Sequence, residues 1–526
     1  MQDWENLNKD FVNWAAKNKI KDYFIKNFLY KDFSIWWILN IYQKDNVINN
    51  QWYFKLRSLL HYNINIKFNY FTFLLVFIIK FTKNFFYNIF FLLFLKSQFK
   101  KKYIEEKKNC FFGAEINFKN SDCSYNTLYG LTPIKKNIKD NFYLIKTIEK
   151  FSFVANIIKY KKIFNKLNLE YVILDRYISI NEIIKIYFFS FKVFFKAFIF
   201  FKKNKSFFYI KNKNCFNVLF PHVLNSFSGS VQESLISATS LYNFTQQNKK
   251  IKNFINYLEF NPEGVFSTYF FLKKSSPSTK IITIQHSYAS NNLLFYNHKD
   301  SDFTKKADEE GQKYAPSPDV YLIFSQGLKK ILNKFYKKKV KFIGALREDT
   351  LSQTYTKKIN IKKNGKKIIL VCPSIGDSKT IANYLRLIDK DKYMIIISPH
   401  PVGRNKTIDE FKYLTKNKIK FSFFDNYSSK DLLKISDLVI CGFSSVAIYA
   451  AIKSIPVIRV KHFKYPHFFD TNDKIRNIST DKEFIKFMLN FPKKVKPNKK
   501  NSTYYEKYFF HKLDNKSYLR FWKELN

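Results

Sequence analysis

Two short motifs in the C-terminal half of the chain carry residue types suited to binding a phosphate. One is Gly442-Phe443-Ser444-Ser445, which lies between an apolar run and a helical pattern. The other is His400-Pro401, which follows an earlier apolar run. A helix that begins after a parallel strand, with Ser444 or Ser445 as its N-cap, presents free backbone N–H groups and the positive end of its dipole. The first motif therefore predicts an anion site, and phosphate is the usual anion there.

Polar residues also follow most of the other apolar runs. Ligands of open α/β sheets bind beyond the carboxyl ends of the strands, so residues that directly follow a strand are candidates for a site. A carboxylate or an imidazole at such a position can accept a proton from a hydroxyl group. Each residue taken alone also has a structural explanation, as a surface carboxylate or a hydrogen-bonded core histidine. The further candidates are Glu259, Glu263, His286, Ser374, Gly376 and Arg404.

Short apolar runs alternate with helical patterns from about residue 216 onward, which predicts the elements that position these residues. Continuous apolar strands separated by helices are typical of parallel, doubly wound sheets. We predict an α/β fold with two Rossmann-like domains that face a cleft. The predicted strands are 216–220, 254–259, 280–285 and 320–324 in the first series, and 340–344, 367–372, 393–397, 420–424, 438–440 and 455–460 in the second. Helices are predicted at 378–388 and 428–436.

The length of 526 residues favours more than one domain. Residues 1–210 are predicted to form an aromatic-rich, mainly helical N-terminal extension together with part of the first Rossmann-like domain. Residues 211–340 complete that domain, which we expect to bind the acceptor. Residues 341–492 form the second domain, which we expect to hold the nucleotide. Residues 493–526 form a C-terminal tail that we expect to pack back across the domains.

The composition limits the classes of partner. The chain has 91 Lys and Arg against 41 Asp and Glu, a formal net charge of +50. These basic residues are spread along the chain and form no nucleic-acid reader motif, so we expect no nucleic-acid partner. The five cysteines include no C-x-x-C pair, so we expect neither a disulfide framework nor a metal site. A surface this cationic attracts anionic ligands and lipid headgroups.

Two segments, 71–95 and 187–201, are intensely apolar and aromatic but are interrupted by lysines. The longest uncharged run of the first segment, 84–95, is too short to span a bilayer by itself. Aromatic faces flanked by Lys suit helices that lie in the headgroup layer. Burial in an aromatic core and a true membrane span are the alternatives. With no secretory signal at the N-terminus, we expect a cytoplasmic protein held at the inner face of the plasma membrane.

The chain resembles bacterial surface carbohydrate biosynthesis proteins, and its C-terminal half resembles GT-B glycosyltransferases of the sialyltransferase-like and capsule types. His400-Pro401 and Ser444-Ser445 match, in order and context, the His-Pro and Ser-Ser motifs of those enzymes. The other matching pieces are 32–37, Glu259 near 262–264, 285–287 and 344–347. The acidic motif of sialyltransferases is incomplete, because Pro262 occupies the place before Glu263.

The resemblance implies transfer of a sugar from a nucleotide-activated donor, with CMP as a candidate nucleotide, to a glycan or lipid-linked acceptor. It also implies that no cofactor or bound metal is needed. His400, Ser444, Ser445 and Arg404 would then stabilise the departing phosphate. Glu259 is our first choice for the base, with Glu263 and His286 as the others. Two alternatives are a CDP-glycerol-type glycerophosphotransferase and a non-catalytic membrane scaffold of polysaccharide assembly.

Overall fold

The computed structural model describes most of the chain. The described residues are 2–44, 50–62, 64, 66–103, 108–114, 141–147, 150–155, 158, 162, 170–248, 251–256, 265–285, 289, 293–303, 309–336, 338–346, 359, 361, 364–374, 377–399, 404–415, 421–424, 427–442, 444–460, 475–491 and 499–525.

The first large sheet has seven strands, all parallel, in the order β11-β10-β9-β8-β3-β4-β5. The chain runs outward in one direction from β3 to β5 and then in the other from β8 to β11, so the topological switch point lies between β3 and β8. Its strands are β3 (Lys108–Ala114), β4 (Asn141–Lys146), β5 (Tyr171–Ile173), β8 (Ile251–Asn256), β9 (Lys280–Ile284), β10 (Val320–Ile323) and β11 (Lys339–Phe342).

The second sheet has six parallel strands in the order β14-β13-β12-β15-β16-β17, with its switch point between β12 and β15. Its central strands are buried along most of their length, as expected where helices cover both faces of a parallel sheet. The strands are β12 (Lys367–Cys372), β13 (Tyr393–Ile397), β14 (Phe421–Phe423), β15 (Leu438–Cys441), β16 (Val457–Val460) and β17 (Arg476–Ile478).

Helices connect these strands and form the N-terminal extension, with two small hairpins, β1 (Leu29–Tyr30) with β2 (Phe33–Ser34) and β6 (Tyr209–Ile210) with β7 (Lys213–Asn214). The helices are α1 (Gln2–Lys17), α2 (Lys19–Asn27), α3 (Asn40–Gln43), α4 (Asn50–Tyr62), α5 (Tyr70–Gln98), α6 (Lys150–Ala155), α7 (Ile180–Lys203), α8 (Phe216–Asn225), α9 (Ser230–Gln247), α10 (Val265–Ser275), α11 (Gln326–Leu332), α12 (Ser378–Leu385), α13 (Arg404–Thr415), α14 (Ser429–Leu432), α15 (Val446–Ile452), α16 (Asp481–Asn490), α17 (Lys499–Phe509) and α18 (Ser517–Leu525).

The N-terminal helices share one aromatic core with helices α7, α8 and α9. This core includes the short 3-10 helix Ile35–Ile38, in which Trp36 and Trp37 are fully buried. The predicted class, two Rossmann-like parallel sheets with an aromatic-rich helical N-terminal region, is therefore the architecture of the chain.

One predicted strand is wrong, and another lies in a different sheet from the one expected. Residues 216–220 begin helix α8 and do not form a strand. A short apolar run that is buried on all sides shows neither the period of a strand nor that of a helix, so the sequence pattern does not separate the two. The strand predicted at 340–344 to open the second series is β11, which pairs in parallel with β10 at the edge of the first sheet. The second series therefore starts at β12.

Candidate functional site

The switch point of the second sheet brings two strand-end turns together. Strands β12 and β15 are adjacent and parallel, and their last residues, Cys372 and Cys441, lie side by side. The turns that follow them begin with Pro373-Ser374 and with Gly442. Because ligands of doubly wound sheets bind outside the carboxyl ends at the switch point, this is the place where the fold favours a ligand.

Asp377 links the two turns. Its Oδ1 accepts a hydrogen bond from the backbone N–H of Ser374 at 2.7 Å. Its Oδ2 lies 2.1 Å from the point that a Cβ on Gly442 would occupy. Any side chain at 442 would therefore displace the buried Asp377 carboxylate. Glycine at this position is explained by the close approach of the two turns.

The serines of the predicted N-cap have separate roles. Ser445 holds the N-cap position of α15 but makes no side-chain cap hydrogen bond, and it is exposed. The hydroxyl of Ser444 is half-buried and accepts from the N–H of Val446 at 3.3 Å. Ser444 therefore makes the side-chain hydrogen bond at the start of helix α15. The helix has only seven residues.

A buried arginine lies one strand from these turns. Arg459 is on β16, in register with Cys441 at the end of β15, and it is 1% exposed. A guanidinium keeps its charge when buried and suits phosphate recognition. In the sequence, Arg459 lies beside a turn. Its position next to the end of β15 follows only from the order of the strands in the sheet.

The first sheet has its own fixed strand ends. The side-chain amide of Gln285, which follows β9, is buried; its Nε2 donates to Ser325 Oγ at 2.8 Å. Its Oε1 accepts from the N–H groups of Phe324 and Ser325 at 2.9 and 3.0 Å. At the switch point, the amide of Asn256 at the end of β8 donates to the hydroxyl of Tyr269 at 3.2 Å. These contacts anchor the residues that precede the segments carrying the predicted bases.

Six of the predicted site residues lie outside the described residues: Glu259, Glu263, His286, Gly376, His400 and Pro401. Arg404 is the first residue of α13. The structure therefore brings together Ser374, Gly442 and the two serines at the second switch point. It adds Asp377 and Arg459 near that switch point and Gln285 in the first sheet, three residues that our candidate set omits. The signal for Asp377 is present in the sequence, since Asp is favoured directly before a helix.

Burial shapes the chemistry of the strand ends. Desolvation raises the pKa of the Cys372 thiol well above its usual value, and the nearby Cys441 and Asp377 add to the shift. This thiol stays protonated and serves as a small apolar core group. Among the residues that the structure describes, no group of three or more His, Cys, Asp or Glu side chains could hold a metal ion.

Residues 243–461 match the profile of a family described as CDP-Glycerol:Poly(glycerophosphate) glycerophosphotransferase. The match covers 219 of the 526 residues and includes every element from β8 to β16. It also includes the three candidate bases and all the candidate phosphate-binding residues. No curated protein matches the chain at a significant level.

Several solved structures are similar at low identity. The wall teichoic acid polymerase TagF has 11% identity and a TM-score of 0.40, over 80% of this chain and 89% of that one. The UDP-GlcNAc 2-epimerase from Neisseria meningitidis has 10% identity and a TM-score of 0.42, over 80% and 99%. The calicheamicin glycosyltransferase CalG4 has 8% identity and a TM-score of 0.47, over 80% and 98%.

Proposed function

We propose that this protein transfers a glycerophosphate unit from a CDP-activated glycerol donor to a growing poly(glycerophosphate) chain. The observation that carries the proposal is the family match over residues 243–461. That segment contains the switch-point turns of the second sheet and all three candidate bases. The match favours a CDP-glycerol-type glycerophosphotransferase over a glycosyltransferase that uses a nucleotide sugar.

The proposed reaction is a displacement at phosphorus. An acceptor hydroxyl oxygen forms a bond to the phosphorus that bears glycerol, and the bond from that phosphorus to the bridging oxygen breaks. CMP leaves with the electron pair, and the hydroxyl proton passes to a base on the enzyme. Such reactions depend mainly on positioning and on stabilisation of charge at the phosphoryl oxygens.

We assign the donor to the second sheet. The turns held by Asp377 and Gly442 would receive the pyrophosphate, with Ser374, Ser444 and Ser445 as hydrogen-bond donors. His400, Arg404 and the buried Arg459 would supply positive charge. We assign the acceptor hydroxyl to the first sheet, where Glu259 follows the strand at the switch point. Glu259 remains our first choice for the base, with Glu263 and His286 as the alternatives.

The test of the reaction uses the purified full chain with a short glycerophosphate oligomer as acceptor. We expect release of CMP from CDP-glycerol, and growth of the oligomer by one glycerophosphate unit per turnover, measured by mass spectrometry. Turnover with a CMP-, UDP- or GDP-sugar but not with CDP-glycerol would overturn the proposal. Inactivity with every donor would favour the scaffold alternative.

Three variants test the assigned roles. His400→Ala should weaken donor binding or turnover by about tenfold or more, equivalent to about 1.4 kcal/mol. His61→Ala, at an exposed position in the last turn of α4, should change neither. Glu259→Gln should lower turnover by about a hundredfold while donor binding persists. Glu309→Gln, elsewhere in the first domain, is the matched control. If Glu259→Gln retains turnover and His286→Ala abolishes it, His286 is the base.

A further inference from the structure

Helix α5 exposes an apolar stripe that runs from Phe71 to Leu93 and is interrupted by the exposed Thr82 and Lys83. Apart from the adjacent Ile78 and Ile79, the members of the stripe follow one another at intervals of three, four or seven residues, which places them on one face of the helix. Two of the phenylalanines, Phe71 and Phe90, are 76% and 69% exposed. The other members of the stripe are Leu75, Ile78, Ile79, Phe86 and Leu93.

Helix α7 carries a second apolar stripe, whose members are three, four or eight residues apart. Phe188 is 72% exposed, and Ile184, Phe191 and Ile199 are exposed with it. The two helices pack side by side and antiparallel. Residues later in α5 contact residues earlier in α7. Phe77 stacks on Phe194 with ring centroids 3.5 Å apart, and Phe85 lies edge-on against Tyr187 at 5.1 Å. The α5–α7 pair therefore presents one broad apolar surface, larger than the scattered exposed side chains of a soluble domain.

Positive charge accompanies this surface. The two helices together contain eight lysines and a single acidic residue, Glu182. That carboxylate is engaged near the start of α7, where it accepts from Ser179 and from Asn243. Lys185, Lys192 and Lys196 are exposed directly beside the apolar stripe of α7. An apolar face bordered by lysines matches the acyl boundary and the anionic headgroups of a lipid monolayer.

The opposite face of α5 is fixed to the protein. Leu95 and Phe91 are buried in the core of the first sheet, and Phe77 is buried in the N-terminal core. Asn88, between them, donates to the Tyr187 hydroxyl and to Glu233, each at 2.9 Å. Glu233 also holds Lys150 at 2.8 Å in a partly buried ion pair. A helix bound by its middle to this ion pair, and by Phe77, Phe91 and Leu95 to two cores, is held on the protein body. Crossing the hydrocarbon core would take these polar groups into lipid, where they are costly.

Helix α5 is long and apolar enough to cross a membrane on length and composition alone. We propose instead that α5 and α7 form an in-plane docking surface for an anionic lipid bilayer, into which the exposed stripes insert while the buried stripes remain on the protein. This docking surface lies outside residues 243–461 and does not depend on the proposed reaction.

Vesicle binding of the full chain tests the surface. We expect flotation with vesicles of phosphatidylcholine and phosphatidylglycerol, and much weaker binding to phosphatidylcholine alone or at high salt, because salt screens the lysines. The triple variant Phe71→Ser/Phe90→Ser/Phe188→Ser should lower the partition coefficient at least tenfold. The matched control Tyr413→Ser/Leu489→Ser alters residues that are 74% and 79% exposed on α13 and α16, and should lower it less than twofold. Equal binding of the two variants, or no binding by the parent chain, would overturn the proposal.

A labelling experiment separates docking in the plane from spanning. Lys67→Cys and Lys101→Cys place a thiol on either side of α5, at exposed positions. The four described cysteines are buried. Both new thiols should react with a membrane-impermeant maleimide added outside sealed vesicles. Protection of one thiol until the vesicles are lysed would mean that α5 spans the bilayer, and would overturn the in-plane arrangement.

Discussion

The contact between Asp377 and Gly442 sets the geometry of the candidate donor site at the level of single residues. A carboxylate oxygen fills the space that a Cβ at 442 would need, and the same carboxylate holds the turn after β12 through Ser374. A change at either residue therefore alters both turns at once. Since catalytic geometry tolerates little displacement, small shifts here should be visible in donor binding.

We predict that Gly442→Ala weakens CDP-glycerol binding by about tenfold or more, corresponding to about 1.4 kcal/mol, because the Asp377 carboxylate has to move. Isothermal titration calorimetry measures the effect. Asp377→Asn retains the side-chain shape and the acceptor for Ser374 and should bind the donor more tightly than Gly442→Ala. Donor affinity unchanged in Gly442→Ala would show that the two turns do not form the donor site.

Lys44 is a buried cation in the N-terminal extension. Its Nζ donates to the carbonyl of Asn297 at 2.7 Å and lies 3.2 Å from Nδ1 of His298. Burial lowers the pKa of Lys44 to about 8, against its ordinary value of 10.5, although Asp302 opposes the shift. Burial, with Lys44 nearby, also holds the pKa of His298 well below its usual range.

The lowered pKa of Lys44 predicts a pH dependence of stability. Between pH 8 and pH 10.5 the unfolded chain binds more protons at this lysine than the folded chain. The contribution of Lys44 to stability therefore rises with pH across this window, by at most about 3 kcal/mol. Below pH 8 both states hold the proton and the cost of burying the charge is constant.

Urea unfolding of the parent chain and of Lys44→Met from pH 7 to pH 10.5 measures this effect. The parent should gain stability relative to the variant as pH rises. Lys486→Met, at an exposed position of α16, should run parallel to the parent at every pH. Parallel curves for Lys44→Met as well would contradict a buried ammonium group at Lys44.

On the scale of secondary-structure elements, a single amide joins β9 to the start of α11. Gln285 follows β9, and its three hydrogen bonds reach Phe324 and Ser325 after β10. Ser325 in turn caps α11 by accepting from Leu328 at 3.1 Å. The residue directly before His286 thereby holds together two neighbouring strand ends and one helix start.

We predict that Gln285→Leu destabilises the first domain by about 2–4 kcal/mol, because it leaves buried backbone N–H groups without an acceptor. Turnover should fall more than CDP-glycerol affinity, since the donor is assigned to the other domain. Thermal unfolding and steady-state kinetics measure the two effects. Gln246→Leu, at an exposed position of α9, is the control and should be silent. A Gln285→Leu protein with normal stability would contradict the buried amide network.

On the scale of the whole molecule, the C-terminal segment connects the two sheets. Helix α17 packs against α15 of the second domain, and Phe510 contacts Tyr449 there and Phe324 of the first domain. Helix α18 returns to the first sheet, where Phe521 is fully buried. Arg520 fixes the connection by donating to the carbonyl of Ile343 at 2.7 Å and to the Asp514 carboxylate.

We predict that this connection makes the two domains unfold together. Phe521→Ala should lower the free energy of unfolding of the first domain by about 3–5 kcal/mol, because it leaves a cavity under the first sheet. Scanning calorimetry should show one unfolding transition for the parent chain and two for the variant. CDP-glycerol should raise the temperature of the second-domain transition only. Leu519→Ala, a half-exposed position on the same helix, should keep a single transition. A single transition in Phe521→Ala would mean that α18 does not couple the domains.

Much of this architecture could be predicted from local patterns. Continuous apolar runs such as 367–372 and 393–397 are strands because a buried parallel strand needs apolar residues on both faces. Polar residues after those runs identified Ser374, Gly442 and Ser444 as candidates. The prediction failed at 216–220, where full burial removes the difference between strand and helix periodicity. It failed again at β11, because alternating strands and helices do not mark where one sheet ends and the next begins.

The sequence by itself therefore determined the class of fold, most strands of the two series and the polar residues that follow them, because each depends on side chains close together in the chain. Only the tertiary structure decided which strand ends are neighbours. It placed Asp377 against Gly442, joined Gln285 to Ser325 and paired α5 with α7. These contacts join residues far apart in sequence, and they depend on strand order and on helix faces that no local pattern specifies.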